Sequence, residues 1–600
     1  MEEAKNIYLF KRILVFLKPY KLMFWLTFLG TIFNAVLSPM RPLILGFMID
    51  KFVMKAESLK GFSNQLNSIN DSIAPENGFL YWTVIVIITI IIEALMRFAL
   101  VYYTNLLGQN IVEDIRERLF QHVTRFKTQF FDKNPIGKLV TRLVSDVEAA
   151  SEIFSNGIIT IMGDILSLSL VLVFMFVVNW KIALMIVIPL PILFWATNIF
   201  KNAIKKAYQL ESTQVSKLNT FVQERIVGMS ILQLFSREKI EYGNFKEINK
   251  LHRDAHIKSI WAYSIFFPVV EILSSISIAF VIFYAPYQII DRPIVENSTG
   301  EIIMYILWVN MLYRPIRMLA DKFNVIQRGL VRTKNIFEVL DDEQEIVSPE
   351  GTNQHSTYNG EVSFNSVSFA YNESDYVLKD VSFEIKPGQT VAFVGATGAG
   401  KSSIINILSR FYEYQKGEIL IDNKDLRSLS LEEIRQNIAV VLQDVFLFSD
   451  TIFNNMTLGN PDITKEQVIE ASKFVGLHDF IMKLPGDYDY NVKERGAGLS
   501  TGQRQLISFV RAYVYNPKIL VLDEATSSID TETEELIQEA IDKLTKGRTS
   551  ILVAHRLSTI KKADKIIVLD KGEIKEQGTH QELLSLKGIY HNLYEIQFEE

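Results

Sequence analysis

The residues Gly395-Ala396-Thr397-Gly398-Ala399-Gly400-Lys401-Ser402 match G-x-x-x-x-G-K-[ST], a pattern whose chemistry is the cradling of a polyphosphate. Three glycines let the backbone curl so that its N–H groups point inward, where side chains would block the approach. Lys401 brings a positive charge that reaches the β- and γ-phosphates, and Ser402 offers a hydroxyl to Mg²⁺. So short a pattern also arises as a chance glycine turn, so the flanking residues decide. Val391-Ala392-Phe393-Val394 reads as a buried strand entering the loop, and Ser403 to Leu408 as a helix whose N-terminus faces the phosphates. Strand, loop and helix in that order favour a nucleotide site that takes in Ser403.

A second constellation lies downstream. Ile519-Leu520-Val521-Leu522-Asp523-Glu524 is an apolar strand ending in two carboxylates. Ligands of parallel α/β sheets sit at the strand ends, so Asp523 is placed to hold Mg²⁺ through water and Glu524 to orient or deprotonate an attacking water. Alone, the pair reads better as a solvated strand terminus. Behind a phosphate loop the catalytic reading takes over.

These residues need a scaffold, and 600 residues exceed what one hydrophobic core organises, so two or more domains are expected. The apolar fraction of 48% averages two unlike halves, because the apolar runs crowd before about residue 320. Six of them are long enough to cross a bilayer, which takes about 20 helical residues. They run roughly 22–49, 79–104, 157–179, 181–203, 264–290 and 302–325. The third, with Asp164 its single charge, is the cleanest. Prolines at 39, 42, 189, 191, 268 and 315 fall inside or at the ends of spans, where neighbouring helices can satisfy the freed carbonyls. Met1 to Tyr20 carries charges without a small-residue cleavage site and reads as an amphipathic lead-in.

Loops of about 50 and about 60 residues follow spans two and four, and the basic excess Arg116, Arg118, Arg125, Lys127, Lys133, Lys138 and Arg142 assigns the first to the cytoplasm. The loop from Lys51 to Asn77 keeps Lys51, Lys55 and Lys60, so its outside placement rests on the even number of spans. From about Asp341 the pattern turns to short strands, turns and helices, as in an α/β domain. The expected fold is a multidomain membrane protein. An all-α six-helix transmembrane domain (1–325) and a linker (326–345) precede an α/β phosphate-loop domain (346–600). A net charge of −6 gives no footprint for nucleic acid, and the absence of cysteine removes disulfides, thiolate metal sites and cysteine catalysis.

Taken together, the chain resembles an ATP-binding cassette exporter half-transporter, with six membrane helices fused ahead of one nucleotide-binding domain, over nearly its whole length. The resemblance implies ATP and Mg²⁺ as cofactors and assigns further residues by motif. Tyr371 in Val367-Ser368-Phe369-Ala370-Tyr371 matches the aromatic that stacks on adenine, and Gln443 the glutamine that contacts Mg²⁺. Leu499-Ser500-Thr501-Gly502-Gln503 matches the signature loop that caps a nucleotide bound to the opposite subunit. Ser527 to Asp530 fits the loop crossing the dimer interface, and His555 the switch histidine that contacts the γ-phosphate. Phe130 to Gly137 and Phe221 to Glu238 resemble the regions around the coupling helices, and Glu494-Arg495-Gly496 the loop that touches them.

One position departs from the pattern. Thr501 stands where the signature usually has a glycine, and a β-branched residue is expected to restrict the backbone there and weaken closure over ATP. In asymmetric heterodimeric exporters a chain with an altered signature commonly keeps the catalytic glutamate, so Thr501 with Glu524 ranks a heterodimer ahead of a homodimer. The implied protein lies in a bacterial cell membrane with its nucleotide domain cytoplasmic, and exports drugs or lipids by alternating access. Glu93, Arg97, Asp164 and Glu271 inside spans, and aromatics such as Trp261, Phe266, Phe267, Tyr305 and Trp308, are candidates for the substrate path. For Glu93 and Arg97, four apart on one helical face, a simple ion pair is the stronger reading.

Overall fold

The structure, a computed structural model, describes residues 8–9, 11–54, 62–73, 77–290, 299–344, 358–372, 375–523, 531–553 and 557–598. The chain forms two units, Met1–Thr124 with Pro135–Glu343, and Arg125–Asn134 with Gln344–Glu600.

The first unit is helical. Its long helices are α1 (Lys21–Met48), α2 (Gly78–Val123), α3 (Ile159–Val178), α4 (Leu190–Val227), α5 (Glu238–Ile290) and α6 (Thr299–Leu340). Among the described residues, five helical runs are long and apolar enough to cross a membrane: Lys21–Val53, Gly78–Val123, Ile136–Val178, Trp180–Val227 and Glu238–Tyr284. The sixth expected span lies in α6, where Arg314, Pro315, Arg317, Asp321 and Lys322 break the apolar run. The 46 residues of α2 extend about 69 Å, roughly twice a hydrocarbon core of about 30 Å, so the helix continues well beyond the bilayer. Residues 326–340, expected as linker, continue α6 and bury Thr333, Ile336 and Phe337.

Polar side chains tie these helices together where water is excluded. Tyr305 and Trp308 on α6 are fully buried. The Tyr305 hydroxyl donates to the carbonyls of Met175 (2.6 Å) and Asn179 (3.1 Å), and Trp308 Nε1 donates to the Pro39 carbonyl at 3.0 Å. Two of the aromatics considered for a substrate path are therefore cross-links between helices. Phe266 is also buried, stacked on Phe200 at 4.1 Å, whereas Trp261 is exposed.

The four span charges considered for a substrate path are paired as well. Glu93 accepts from Arg41 on α1 at 3.1 Å besides facing Arg97 at 3.5 Å. Asp164 on α3 meets Lys322 on α6, and Glu271 on α5 meets Arg317 at 2.5 Å. Before α1 the chain makes a short turn, Leu14–Leu17, that buries Ile13 and Leu17. Arg12 holds Asp341 through two hydrogen bonds of 2.6 and 2.7 Å, which keeps that carboxyl below the usual carboxylate range.

The second unit carries two sheets. One is antiparallel, in the order β2 (Tyr376–Ile385), β1 (Val362–Ala370), β4 (Lys416–Ile421), β5 (Lys424–Asp425). The other runs β10 (Glu573–Gly578), β9 (Lys565–Asp570), β3 (Thr390–Val394), β8 (Thr549–Val553), β7 (Ile519–Asp523), β6 (Ile438–Val441). From β9 to β6 all neighbours are parallel, and their near-continuous Val/Ile/Leu runs are what a sheet covered on both faces requires.

One close approach in the first unit can be tested directly. A Cβ on Gly300 would lie 1.9 Å from the Gly46 carbonyl oxygen, so α1 and α6 meet there only because both residues are glycine. Gly300→Leu is expected to destabilise the protein by at least about 1–3 kcal/mol. The readout is a lower thermal unfolding midpoint in detergent, beside Gly243→Leu, where a side chain has open space. An unchanged midpoint for the Gly300 variant would overturn the packing argument.

Candidate functional site

The phosphate loop leaves the buried end of β3 and enters helix α7 (Lys401–Leu408). Its shape needs glycine at two places for two reasons. At Gly395 a Cβ would lie 2.2 Å from the Leu569 carbonyl oxygen, and Gly400 holds φ +106° with the Leu378 side chain 2.7 Å from its would-be Cβ. Ala396, Thr397 and Gly398 are exposed, and no atom lies within 4 Å of a Cβ built on Gly398, so the loop forms an open cradle with Ala399 packed behind. Lys401 is buried and donates from Nζ to the carbonyls of Gly395 (2.6 Å) and Ala396 (3.2 Å). Burial lowers its pKa, an effect that the Asp523 carboxylate partly offsets. Ser402 is exposed, whereas Ser403 is buried with its Oγ 3.2 Å from the Tyr371 hydroxyl.

Sheet register gathers the remaining groups at the same edge. Phe393 on β3 pairs with Val553 on β8, Val553 with Asp523 on β7, and Leu522 with Val441 on β6. The phosphate loop, Asp523 and the exposed Gln443 two residues past β6 therefore follow the carboxyl ends of strands in one parallel sheet, where α/β proteins bind ligands. Glu524, Ser527 to Asp530 and His555 lie outside the described residues.

The signature residues open helix α8 (Thr501–Val514). Ser500 caps it: Oγ accepts from Gln503 N at 3.2 Å, and Gln503 Oε1 accepts from Ser500 N at 2.9 Å. Thr501 is the first helical residue and has no left-handed φ, so the expected backbone restriction is absent. What threonine adds at this position is side-chain bulk. Its Oγ1 accepts from Arg504 Nη2 at 3.1 Å, while Arg504 Nη1 donates to the Leu499 carbonyl at 2.7 Å and Gly502 is buried beneath.

Comparison with known proteins matches residues 24–316 to the ABC transporter transmembrane region and residues 378–527 to the ABC transporter family. An uncharacterized ABC transporter ATP-binding protein of Bacillus subtilis is 35% identical over 590 residues, covering 98% of this chain and 94% of that one. The chain belongs to the ABC transporter family. An ATP-dependent lipid A-core flippase of Syntrophus aciditrophicus is 36% identical over 496 residues, 83% of this chain and 82% of its own. A putative multidrug export ATP-binding/permease protein of Staphylococcus aureus is 34% identical over 594 residues, covering 98% and 99%. A bacterial Atm1-family ABC exporter with ATP bound shares the fold, with TM-score 0.75 and 24% identity over 96% of this chain and 98% of that one. The protein is thus an ATP-hydrolysing membrane transporter.

In this transporter, residues 125–134 of the loop between two membrane helices belong to the nucleotide unit. The short helix Thr128–Lys133 buries Phe130, whose ring lies 4.1 Å from that of Phe126. Gln129 Nε2 donates to the Tyr371 carbonyl at 3.1 Å, Asp132 accepts from the Tyr412 hydroxyl, and the Lys127 amide donates to the Gln344 carbonyl. Tyr371 therefore has a role that its motif did not disclose. Its hydroxyl accepts from Asn406 Nδ2 on α7 at 2.9 Å, and its ring meets Tyr412 edge-on at 4.9 Å, so one residue joins the phosphate helix to the 125–134 segment. The second expected coupling region, 221–238, ends α4 and turns through Met229–Leu234, with Ile226, Val227, Ile231, Leu234 and Phe235 exposed.

The buried lysine gives a pH signature. A polyphosphate needs Lys401 protonated, so ATP affinity falls as pH rises through its lowered pKa, whereas an ordinary lysine would keep affinity level to about pH 10. Equilibrium ATP binding without Mg²⁺, measured over about pH 7.5 to 10, is expected to weaken before the end of that range. A level profile would overturn the assignment of a desolvated Lys401.

Proposed function

We propose that this transporter is one half of a dimeric exporter that moves hydrophobic or amphipathic molecules, drugs or lipids, out of the cytoplasm or inner leaflet by alternating access. One observation carries the reading: ten residues of a loop between membrane helices are built into the nucleotide unit and bonded to Tyr371, which itself holds the phosphate helix. A change at the phosphates thereby has a short route, through two hydrogen bonds to the 125–134 segment and then along the chain, into α2 on one side and the Ile136–Val178 run on the other. The relatives named for multidrug export and for lipid A-core flipping support the substrate class.

In this reading Tyr371 meets the adenine, and the residues from Gly395 to Ser403 hold the phosphates of ATP. Ser402, Gln443 and Asp523, the last through water, are the oxygen donors that a hard cation such as Mg²⁺ takes, and the ion would neutralise charge on the phosphates. Glu524 orients the attacking water, and His555 contacts the γ-phosphate. Ser500, Gly502 and Gln503 cap the nucleotide held by the other half, with Asp530 on the loop that crosses between them. The exposed apolar tip from Ile226 to Phe235 supports docking on that second half, since six apolar side chains facing water, Met229 among them, are costly unpartnered. That this chain has Thr501 in its signature and keeps Glu524 in its sequence ranks a heterodimer ahead of a homodimer. The nucleotide units face the cytoplasm of a bacterial cell.

Two measurements test this. In inverted vesicles carrying the transporter, ATP-dependent uptake of a fluorescent lipid or dye is expected, and Glu524→Gln should lower it at least about a hundredfold. Uptake that persists without ATP would mark a channel and overturn the pump. Steady-state ATP hydrolysis by the chain purified alone in lipid decides the partner: slow turnover with intact ATP binding is expected of a heterodimer, and robust turnover would establish a homodimer.

A further inference from the structure

The membrane unit contains a cavity of about 440 Å³ between α1, α2, α3 and α6, within the volume range of ligand sites. Among the described residues, six charged side chains line its wall: Arg41, Glu93, Arg97, Asp164, Arg314 and Lys322. Four cations face two carboxylates, and the ion pairs show where the excess lies. Glu93, 7% exposed, is a single anion shared by Arg41 and Arg97. Asp164 is taken by Lys322. Arg314 is exposed, and no carboxylate lies within ion-pair distance of it among the described residues. Two acids of the neighbouring helix faces are committed elsewhere, Glu271 to Arg317 and Asp321 to the Tyr263 hydroxyl.

We propose that this cavity takes an amphiphile whose head is anionic, a phosphate, sulfate or carboxylate on an apolar body, and that Arg314 and the shared Arg41/Arg97 pair meet the head. The proposal rests on the transport reading and names the substrate class of that function. Uncompensated cations at membrane depth are costly, and in a low-dielectric cleft their field attracts a counter-ion and repels a cation. Arginine is suited to this task, since its planar fork matches carboxylate and phosphate oxygens and stays charged at any accessible pH. The rest of the wall is mixed. Leu100, Ile159, Met311 and Met318 supply apolar surface for a hydrocarbon body, and the buried Oδ1 of Asn34 has no hydrogen-bond partner among the described residues, which suits a hydroxyl or amide donor on the ligand.

The test uses the full chain in phosphatidylcholine nanodiscs without nucleotide. Three fluorescent amphiphiles share one dye and one alkyl chain and end in phosphate, trimethylammonium or an uncharged hydroxyl. The phosphate probe is expected to bind about tenfold more tightly than the trimethylammonium probe, the scale of one charge-assisted hydrogen bond. Arg314→Gln, at an exposed and unpaired position, should weaken the phosphate probe several-fold, leave the uncharged probe alone and preserve the unfolding midpoint. Arg97→Gln, which leaves Glu93 with Arg41, should do the same if the first variant proves unstable. Equal binding of the three probes, or a phosphate preference that neither variant reduces, would overturn the proposal. Displacement of the probe by inorganic phosphate at comparable concentration would also overturn it, because a small-anion site needs no apolar body. The readout requires no ATP: anion binding without ATP-driven uptake would count against the transport reading alone, and uptake with charge-blind binding against this proposal alone.

Discussion

The nucleotide site depends on one constraint, the register of the parallel strands from β9 to β6. A phosphate loop is a backbone device, and a backbone can present its N–H groups at fixed points only if both ends are clamped. β3 is paired on either side by β9 and β8, and the first two turns of α7 are pinned through Ser403 and Asn406 to Tyr371. The same register carries Asp523 to the loop's level and sets the start of the Gln443 segment. Shifting one strand by two residues would move a carboxylate by about 6–7 Å, more than metal or phosphate contacts tolerate. The Leu569 carbonyl, at the end of β9, even occupies the space that a side chain at position 395 would need.

Tyr371 extends that rigidity to the ten residues inserted from the membrane half. Its hydroxyl serves the phosphate helix and its carbonyl serves Gln129, so the two contacts cannot move independently of one another. Tyr412, which touches both the Tyr371 ring and Asp132, closes the triangle. Such a compact junction suits an interface that must transmit motion, because short polar contacts have preferred geometries whereas apolar contacts slide.

Local pattern made some of this legible in the chain and left the rest hidden. The phosphate loop, its strand and its helix are contiguous and could be read directly, whereas Ser500 and Gln503 were read for the nucleotide and their cap on a helix emerges only in the fold. The long apolar runs are similarly plain. The roles of Tyr305 and Trp308 were not, because an aromatic at a span reads alike whether it faces lipid, substrate or another helix; only the partners, carbonyls on α1 and at the end of α3, decide. The Glu93/Arg97 pair was visible four residues apart, but Arg41, which changes its charge from neutral to positive, lies 52 positions away. The link from Gln129 to Tyr371 spans 242 positions and leaves no periodic trace. Thr501 shows the opposite failing: a rule about glycine suggested backbone restriction, yet the residue opens a regular helix with no left-handed φ and threonine fits.

The membrane half shows how a transporter can keep charges in hydrocarbon without freezing its cavity. A fully neutralised set of ion pairs would hold the helices in one arrangement and offer nothing to a ligand, whereas unpaired charges would oppose insertion. Here Asp164 with Lys322 and Glu271 with Arg317 each join two helices one to one, so each of these charges has its counter-charge on a neighbouring helix. Glu93 is instead divided between two arginines on two helices, at 3.1 and 3.5 Å, so neither pairing is optimal and either arginine can leave while the carboxylate keeps a partner. An arrangement of this kind lowers the cost of turning an arginine toward a new anion, since the exchange breaks one weak contact and leaves no buried charge alone. On the proposed reading of the cavity, the glutamate held between two cations is what lets an arginine on its wall turn to a ligand.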